Sequence, residues 1–141
     1  PDGTMILPIS VGIALESLAG TVTEMDLRTA QNDIGNGTSS AATVAATAMR
    51  TDAPIASNCV ARQLATADTT AETNPASVWR KTVPTAGAAG NDNAAQQTVT
   101  REMMGYPVLV GPATLELFIA ATTTQATGFV IFTWIEFAER S

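Results

Sequence analysis

Two glutamates, Glu116 and Glu136, stand in segments near the end of the chain that read as strands. If those strands are neighbours, their carboxyls form an acid pair of the kind that cleaves glycosidic bonds, one donating a proton while the other acts as base or nucleophile. Exposed positions on two strands explain them more simply. Histidine is absent from the sequence. Its absence removes the Ser-His-Asp and Cys-His arrangements and the common hydrolytic zinc sites, which need an imidazole as base or ligand. No G-x-S-x-G elbow, phosphate-cradling glycine loop or G-x-G-x-x-G occurs. The expectation is a chain that is not an enzyme, with no catalytic residues and no cofactor.

Metal chemistry fares no better. Asn32-Asp33 with Asn36, and Gly90-Asn91-Asp92-Asn93, carry oxygen ligands of the sort calcium takes, but neither has the spacing of a calcium loop. Asx turns account for both, and no metal is expected. Asn36-Gly37-Thr38 matches a glycosylation acceptor and reads as a turn. Cys59 is the one cysteine, so no intrachain disulfide and no cysteine-based zinc site can form. It reads as a small buried hydrophobe, in a chain folded in a reducing cytoplasm.

The tryptophans are candidates for contact rather than chemistry. Trp134 lies in an apolar run and is expected in the core or at a subunit interface, together with Phe129, Phe132 and Phe137. Trp79, flanked by Arg80 and Lys81, reads as an edge-strand residue covered by a partner, with sugar or cation stacking as the alternative.

The balance of the composition points the same way. The 141 residues suit one domain, 1–141. Hydrophobic residues make up 45%, many of them Ala, and aromatics 5%, which implies a thin core. Charged residues are only 14%, against roughly 25% in an average domain, so a weakly charged surface is available for burial against other subunits. The net charge is -6, with Lys81 the single lysine and six scattered arginines. No basic stripe exists to release counterions from a phosphate backbone, which excludes nucleic acid as a partner. Apolar stretches such as Met5 to Leu7 and Phe129 to Phe132 are far too short for a membrane-spanning helix. No leader pattern opens the sequence, and Pro1 fits removal of an initiator, processing or a start partway along a longer chain.

The elements that would position these residues are strands. Gly128 to Phe137, GFVIFTWIEF, is strong strand chemistry, with Phe129, Ile131, Thr133, Ile135 and Phe137 on one side and Val130, Phe132, Trp134 and Glu136 on the other. Ala113 to Ala121 alternates as a half-buried strand, and the polar Thr122 to Thr127 connection predicts an antiparallel hairpin between the two. Tyr106 to Val110 is a short strand before Gly111-Pro112. Gln97 to Met104 and Ser77 to Val83 are further strands, separated by a loop at Pro84 to Asn93. The N-terminal part predicts Met5 to Ile9, Val11 to Leu18 and Thr21 to Leu27, with a turn at Ala19-Gly20. Ser39 to Met49 and Asn58 to Ala67 suit either Thr/Ala strands or a short Ala-rich helix, and Asp68 to Pro75 is a polar connection. Short strands at regular spacing are the signature of a sandwich or a barrel, so the fold class is all-β, with an antiparallel β-sandwich as the expectation and a short helix in the middle region as the variant.

Both ends of the chain resemble virion proteins of tailed bacteriophages. Gly3-Thr4-Met5-Ile6-Leu7-Pro8 matches their opening G-T-x-x-x-P element. Pro107 to Pro112, Leu115 to Ile119 and Phe132-Thr133-Trp134-Ile135-Glu136 match their closing turn, strand and aromatic-x-Glu strand. The resemblance leaves the middle uncovered and transfers no functional residue. It implies a jelly-roll sandwich, assembled as a homotrimer and seated on the major capsid protein as a decoration or cement subunit on the virion surface. A subunit of an extracellular filament and a carbohydrate-binding module using Trp79 or Tyr106 are the alternatives.

Overall fold

The computed structural model describes residues 4–17, 22–32, 41–49, 52, 56–64, 72–84, 96–121 and 127–138. Among these residues every regular element is a strand: β1 (Thr4–Ser17), β2 (Val22–Ala30), β3 (Ala41–Val44), β4 (Ala61–Leu64), β5 (Ala76–Pro84), β6 (Gln96–Thr100), β7 (Leu109–Val110), β8 (Thr114–Ala121) and β9 (Thr127–Ala138). All pairings are antiparallel. One sheet is built on β1, which pairs along one edge with β9 and along the other with β6 and β7. A second has the order β5-β2-β8, and β3 and β4 form a separate pair. The two larger sheets pack together as an antiparallel β-sandwich. The jelly-roll order implied by the resemblance is not spelled out by these pairings.

The central strands carry the core. Val11, Ile13 and Leu15 of β1 meet Met25 and Leu27 of β2, with Val99 of β6 and Met104 beside them. Val78, Trp79 and Val83 of β5, Leu115, Leu117 and Ile119 of β8, and Val130 and Phe132 of β9 close around this centre. β1 keeps its inner row buried by changing parity. Thr4 and Pro8 are buried in its first half and Val11, Ile13 and Leu15 in its second, and the switch falls at the register shift between Pro8 and Ser10. Ile9 is the extra residue of a β-bulge there.

That bulge also explains a proline inside a central strand, where its missing N–H ordinarily rules it out. Pro8 lies at the irregularity in the β9 ladder, and on its other side β7 pairs only with Met5 and Ile6 while β6 begins at Ser10. No ladder needs its N–H, and its carbonyl accepts a bond from Arg101 Nη1 at 3.0 Å. Between β6 and β7 the chain leaves the sheet in a tight turn. Met104 N–H donates to the Thr100 carbonyl, Tyr106 N–H donates to the Arg101 carbonyl, and Gly105 and Tyr106 take positive φ.

Several expectations need correction. The segments ending in β8 and β9 do not form a hairpin: β8 pairs with β2 and β9 with β1, so the chain crosses between sheets after Ala121. The reason is partner length. β1 offers β9 a ladder from Thr4↔Ala138 to Ser17↔Thr127, and β2 matches all of β8 from Thr23↔Ala121 to Ala30↔Thr114. The two strands expected at Met5 to Ile9 and Val11 to Leu18 are, as far as the described residues go, one bulged strand, Thr4–Ser17. Tyr106 to Val110 contributes only Leu109 and Val110 to a ladder. Of the two readings of the middle segments, the strand is the one found, at β3 and β4. The expected turns at Ala19-Gly20 and Asn36-Gly37-Thr38 and the Asn91-Asp92-Asn93 cluster lie outside the described residues.

Two substitutions check this packing. A Cβ on Gly128 would sit 2.1 Å from the Ala14 carbonyl oxygen and 2.8 Å from Leu15 Cα, so Gly128→Ala is expected to destabilise the fold by about 3 kcal/mol. The Thr23 hydroxyl is wholly buried with no hydrogen-bond partner among the described residues. Thr23→Val is therefore expected to raise stability by about 1 kcal/mol, read as a later urea midpoint with unchanged slope.

Candidate functional site

Three surfaces and clusters gather the residues able to bind or react. The first is centred on Glu136. β9 alternates Val130, Phe132, Trp134 and Glu136 along one row, and the last is the only charge in an otherwise apolar strand. Its carboxylate collects donors from a segment far away in sequence. Ser57 Oγ and Trp134 Nε1 donate to Oε1, the indole at 2.7 Å, and the Asn58 backbone N–H donates to Oε2 at 3.0 Å. The Cys59 N–H in turn donates to Ser57 Oγ at 3.0 Å. Burial pushes the Glu136 carboxyl up, but the bonds from Ser57, Trp134, Asn58 and Cys59 outweigh it and hold the pKa at about 2. Burial and the neighbouring Glu136 carboxylate push the Cys59 thiol up to about 11.

Those values decide what the cluster can do. A carboxylate titrating at about 2 is a weak base at neutral pH, and a thiol at about 11 holds almost no thiolate, the form that reacts. The arrangement holds one charge in place. It fastens the approach to β4 onto the end of β9.

The outer face of the β5-β2-β8 sheet is the second surface, and it is charged. Asp26 accepts from Arg28 Nε at 2.8 Å and from Ser77 Oγ at 2.6 Å. Arg28 reaches on to Glu72 at 3.3 Å and lies 4.9 Å from the Phe118 ring centre. Arg80 pairs with Glu24 at 2.8 Å. Burial raises the Asp26 carboxyl, and the bonds from Ser77 and Arg28 with the charges of Arg28 and Arg80 overcome it, so its pKa is lowered. Glu116 stands opposite Arg28 in the β2–β8 ladder, while Glu136 stands opposite Ile6 in the other sheet. The two glutamates considered as an acid pair therefore lie on different sheets, because β8 and β9 are not neighbours.

The third surface lies on the outer face of the β1 sheet, where β9 presents an apolar row and β6, beyond β1, presents the exposed Gln96, Thr98 and Thr100. Phe129 is 57% exposed, Ile131 65%, Ile135 46% and Phe137 43%. They form one row along β9 with Thr133 at its middle. Val110, opposite Met5 in the ladder, widens the row at the Phe137 end.

The five contact candidates thus divide. Phe129 and Phe137 stand outward and exposed, while Phe132 and Trp79 pack against the core. Trp134 is half-buried with its indole on Glu136. Trp79 lies on β5, at the edge of its sheet among the described residues, and is partly buried against the core. Tyr106 is exposed with the Arg101 guanidinium 5.5 Å from its ring centre. Among the described residues no group of three or more His, Cys, Asp or Glu could hold a metal. Asn32, read as a turn residue, accepts the Thr73 N–H on its side chain at 2.9 Å and the Thr114 hydroxyl on its carbonyl at 2.7 Å. Sequence reasoning did not find Ser57 or Asn58. The one signal was Glu136 itself, since a lone carboxylate in an apolar strand needs donors from somewhere.

Titration of Glu136 gives a test with a definite sign. Its folded pKa lies below the ordinary 4.5, so the stability it contributes is present above about 4.5 and lost as pH falls toward about 2. The shift corresponds to about 3 kcal/mol before solvent screening of this partly exposed group reduces it. Glu136→Gln is expected to unfold earlier in urea at neutral pH and to lose less stability on acidification than the parent chain, with Asp26 and Glu102 among the groups that keep some acid dependence. No protein-family model, curated protein or solved structure matches the chain, so its function has to be read from its own residues.

Proposed function

We propose that the chain is a structural subunit of a virus particle, a decoration or cement protein that binds the major capsid protein on the outside of the shell and stabilises it. The observation that supports this most is the contrast between the two faces of the sandwich. The β5-β2-β8 face carries ion pairs and suits water, whereas the β1 face presents Phe129, Ile131, Ile135 and Phe137 along a single strand. Contiguous apolar surface of that kind marks a place covered by another protein. The chain acts by packing, without a catalytic step, and the jelly-roll form of the sandwich belongs to the same proposal. The resemblance of the two ends of the chain to phage virion proteins is the reason for placing it in a virion.

The filament reading has one observation in its favour. Among the described residues the far edge of β9 pairs with no strand, and an open edge is where a donated strand adds to a sheet. A filament subunit would exchange strands along a fibre, while a decoration subunit would bind preformed shells.

Sedimentation with purified shells of the phage that encodes the chain separates them. The chain is expected to pellet with the shells and raise their disruption temperature, and Ile131→Asp to weaken binding at least about tenfold without altering β content. A chain missing from particles and unable to bind shells would overturn the proposal.

A further inference from the structure

The outer face of the β1 sheet has a symmetry that neither its composition nor its exposure requires. Read along β9, the outward row is Phe129, Ile131, Thr133, Ile135, Phe137, the same in both directions about Thr133. Beside it, the outward row of β1 is Met5, Leu7, Ser10, Gly12, Ala14, with the bulge at Ile9 keeping parity. Met5 and Leu7 stand opposite Phe137 and Ile135, Ser10 stands opposite Thr133, and Gly12 and Ala14 stand opposite Ile131 and Phe129. One half of the face is thus wide and filled with large side chains on both strands. The other half is a ridge on β9 beside a groove floored by glycine and alanine.

We infer that this face is the contact between two copies of the chain, packed face to face about a two-fold axis through Thr133 and Ser10. Such an axis lays the β9 strands antiparallel. Phe129 then meets the partner's Phe137, and Ile131 meets the partner's Ile135. The large Met5 and Leu7 fall over the groove at the partner's Gly12 and Ala14. The hydroxyls of Thr133 and Ser10 come together at the axis, where their partners are each other. A two-fold contact needs a surface that complements itself, residue i against j and j against i, and this arrangement does so on both strands.

The size is adequate. Phe129, Ile131, Ile135, Phe137 and Val110 expose on the order of 500 Å² of side chain, taking about 200 Å² for each large residue. With the exposed parts of Met5 and Leu7, each copy offers on the order of 600 Å², the lower end of the roughly 1,200 to 2,000 Å² that a specific interface buries over both partners. The inference needs no virion setting, but it takes the same face that the proposed function gives to the capsid, so the second copy and a shell compete for it. It replaces the three-fold contact implied by the phage resemblance with a two-fold one.

Sedimentation equilibrium of the chain without shells, at micromolar concentration, tests it. A mass of twice 14.5 kDa is expected, and Ile131→Asp should reduce it to that of one chain with unchanged circular dichroism. Gly12→Leu adds a discriminating arm. A Cβ at Gly12 comes no nearer than 3.9 Å to its own chain, so the fold tolerates it, but the side chain fills the groove the partner occupies and should abolish the dimer. Pairing of two β9 edges would leave Gly12, one strand inward, unaffected. In a Cys59→Ala background, Thr133→Cys should cross-link to itself, and Phe129→Cys should cross-link to Phe137→Cys but not to itself. A monomer, a trimer, a dimer that survives Gly12→Leu, or self-cross-linking of Phe129→Cys would each overturn the inference. Because no shell is present, a monomer overturns this inference alone, whereas a dimer lost on Ile131→Asp and Gly12→Leu means that a shell must displace the second copy to reach the same face.

Discussion

The parity change at Ile9 sets which side chains of β1 meet the rest of the protein. Side chains alternate with a period of two, so a one-residue slip moves a whole row to the opposite face. Without the extra residue, burying Thr4 and Pro8 would turn Val11, Ile13 and Leu15 outward, and the centre shared with Met25 and Leu27 would be lost. The bulge lies where Pro8 withholds its N–H from both ladders. β9 takes its register from β1, and so does the division of its side chains into an inner row and an outer one. The core, the Glu136 cluster and the apolar face all follow from where that residue is inserted.

Two carboxylates are drawn into the structure by different means. Asp26 is satisfied within its own sheet by Arg28 and Ser77, from the same and the neighbouring strand. Glu136 is satisfied by a segment about eighty residues earlier in the chain, through Ser57 and Asn58. In both cases burial alone would favour the protonated acid, and the supplied donors reverse the sign. The first arrangement stiffens one sheet. The second joins separate parts of the fold, which makes it a tertiary contact as much as an electrostatic one.

Strand identity was readable in the sequence wherever apolar and polar residues alternate. Phe129, Ile131, Ile135 and Phe137 fall on one face and Val130, Phe132 and Trp134 on the other, as the alternation required. Strand pairing was not readable in this way. A polar connection between two strands suggests a hairpin, yet β9 pairs with β1 over a hundred residues away and β8 with β2 about ninety residues away, in different sheets. The Ala/Thr segments around β3 and β4 lack a large side chain every second residue, so periodicity could not separate strand from helix. The donors to Glu136 were hidden for a related reason: Ser57 and Asn58 have no local feature that names a distant carboxylate.

The ladder from Thr4↔Ala138 to Ser17↔Thr127 joins the beginning and end of the described chain. Such a closure has one of the largest loop entropies a domain of this length can face, and it brings little return until β9 itself exists. During synthesis, β1 therefore waits with its inner row of Val11, Ile13 and Leu15 lacking its longest partner. The late, cooperative step is the arrival of β9, and up to that moment the growing chain offers an apolar strand to any other chain nearby.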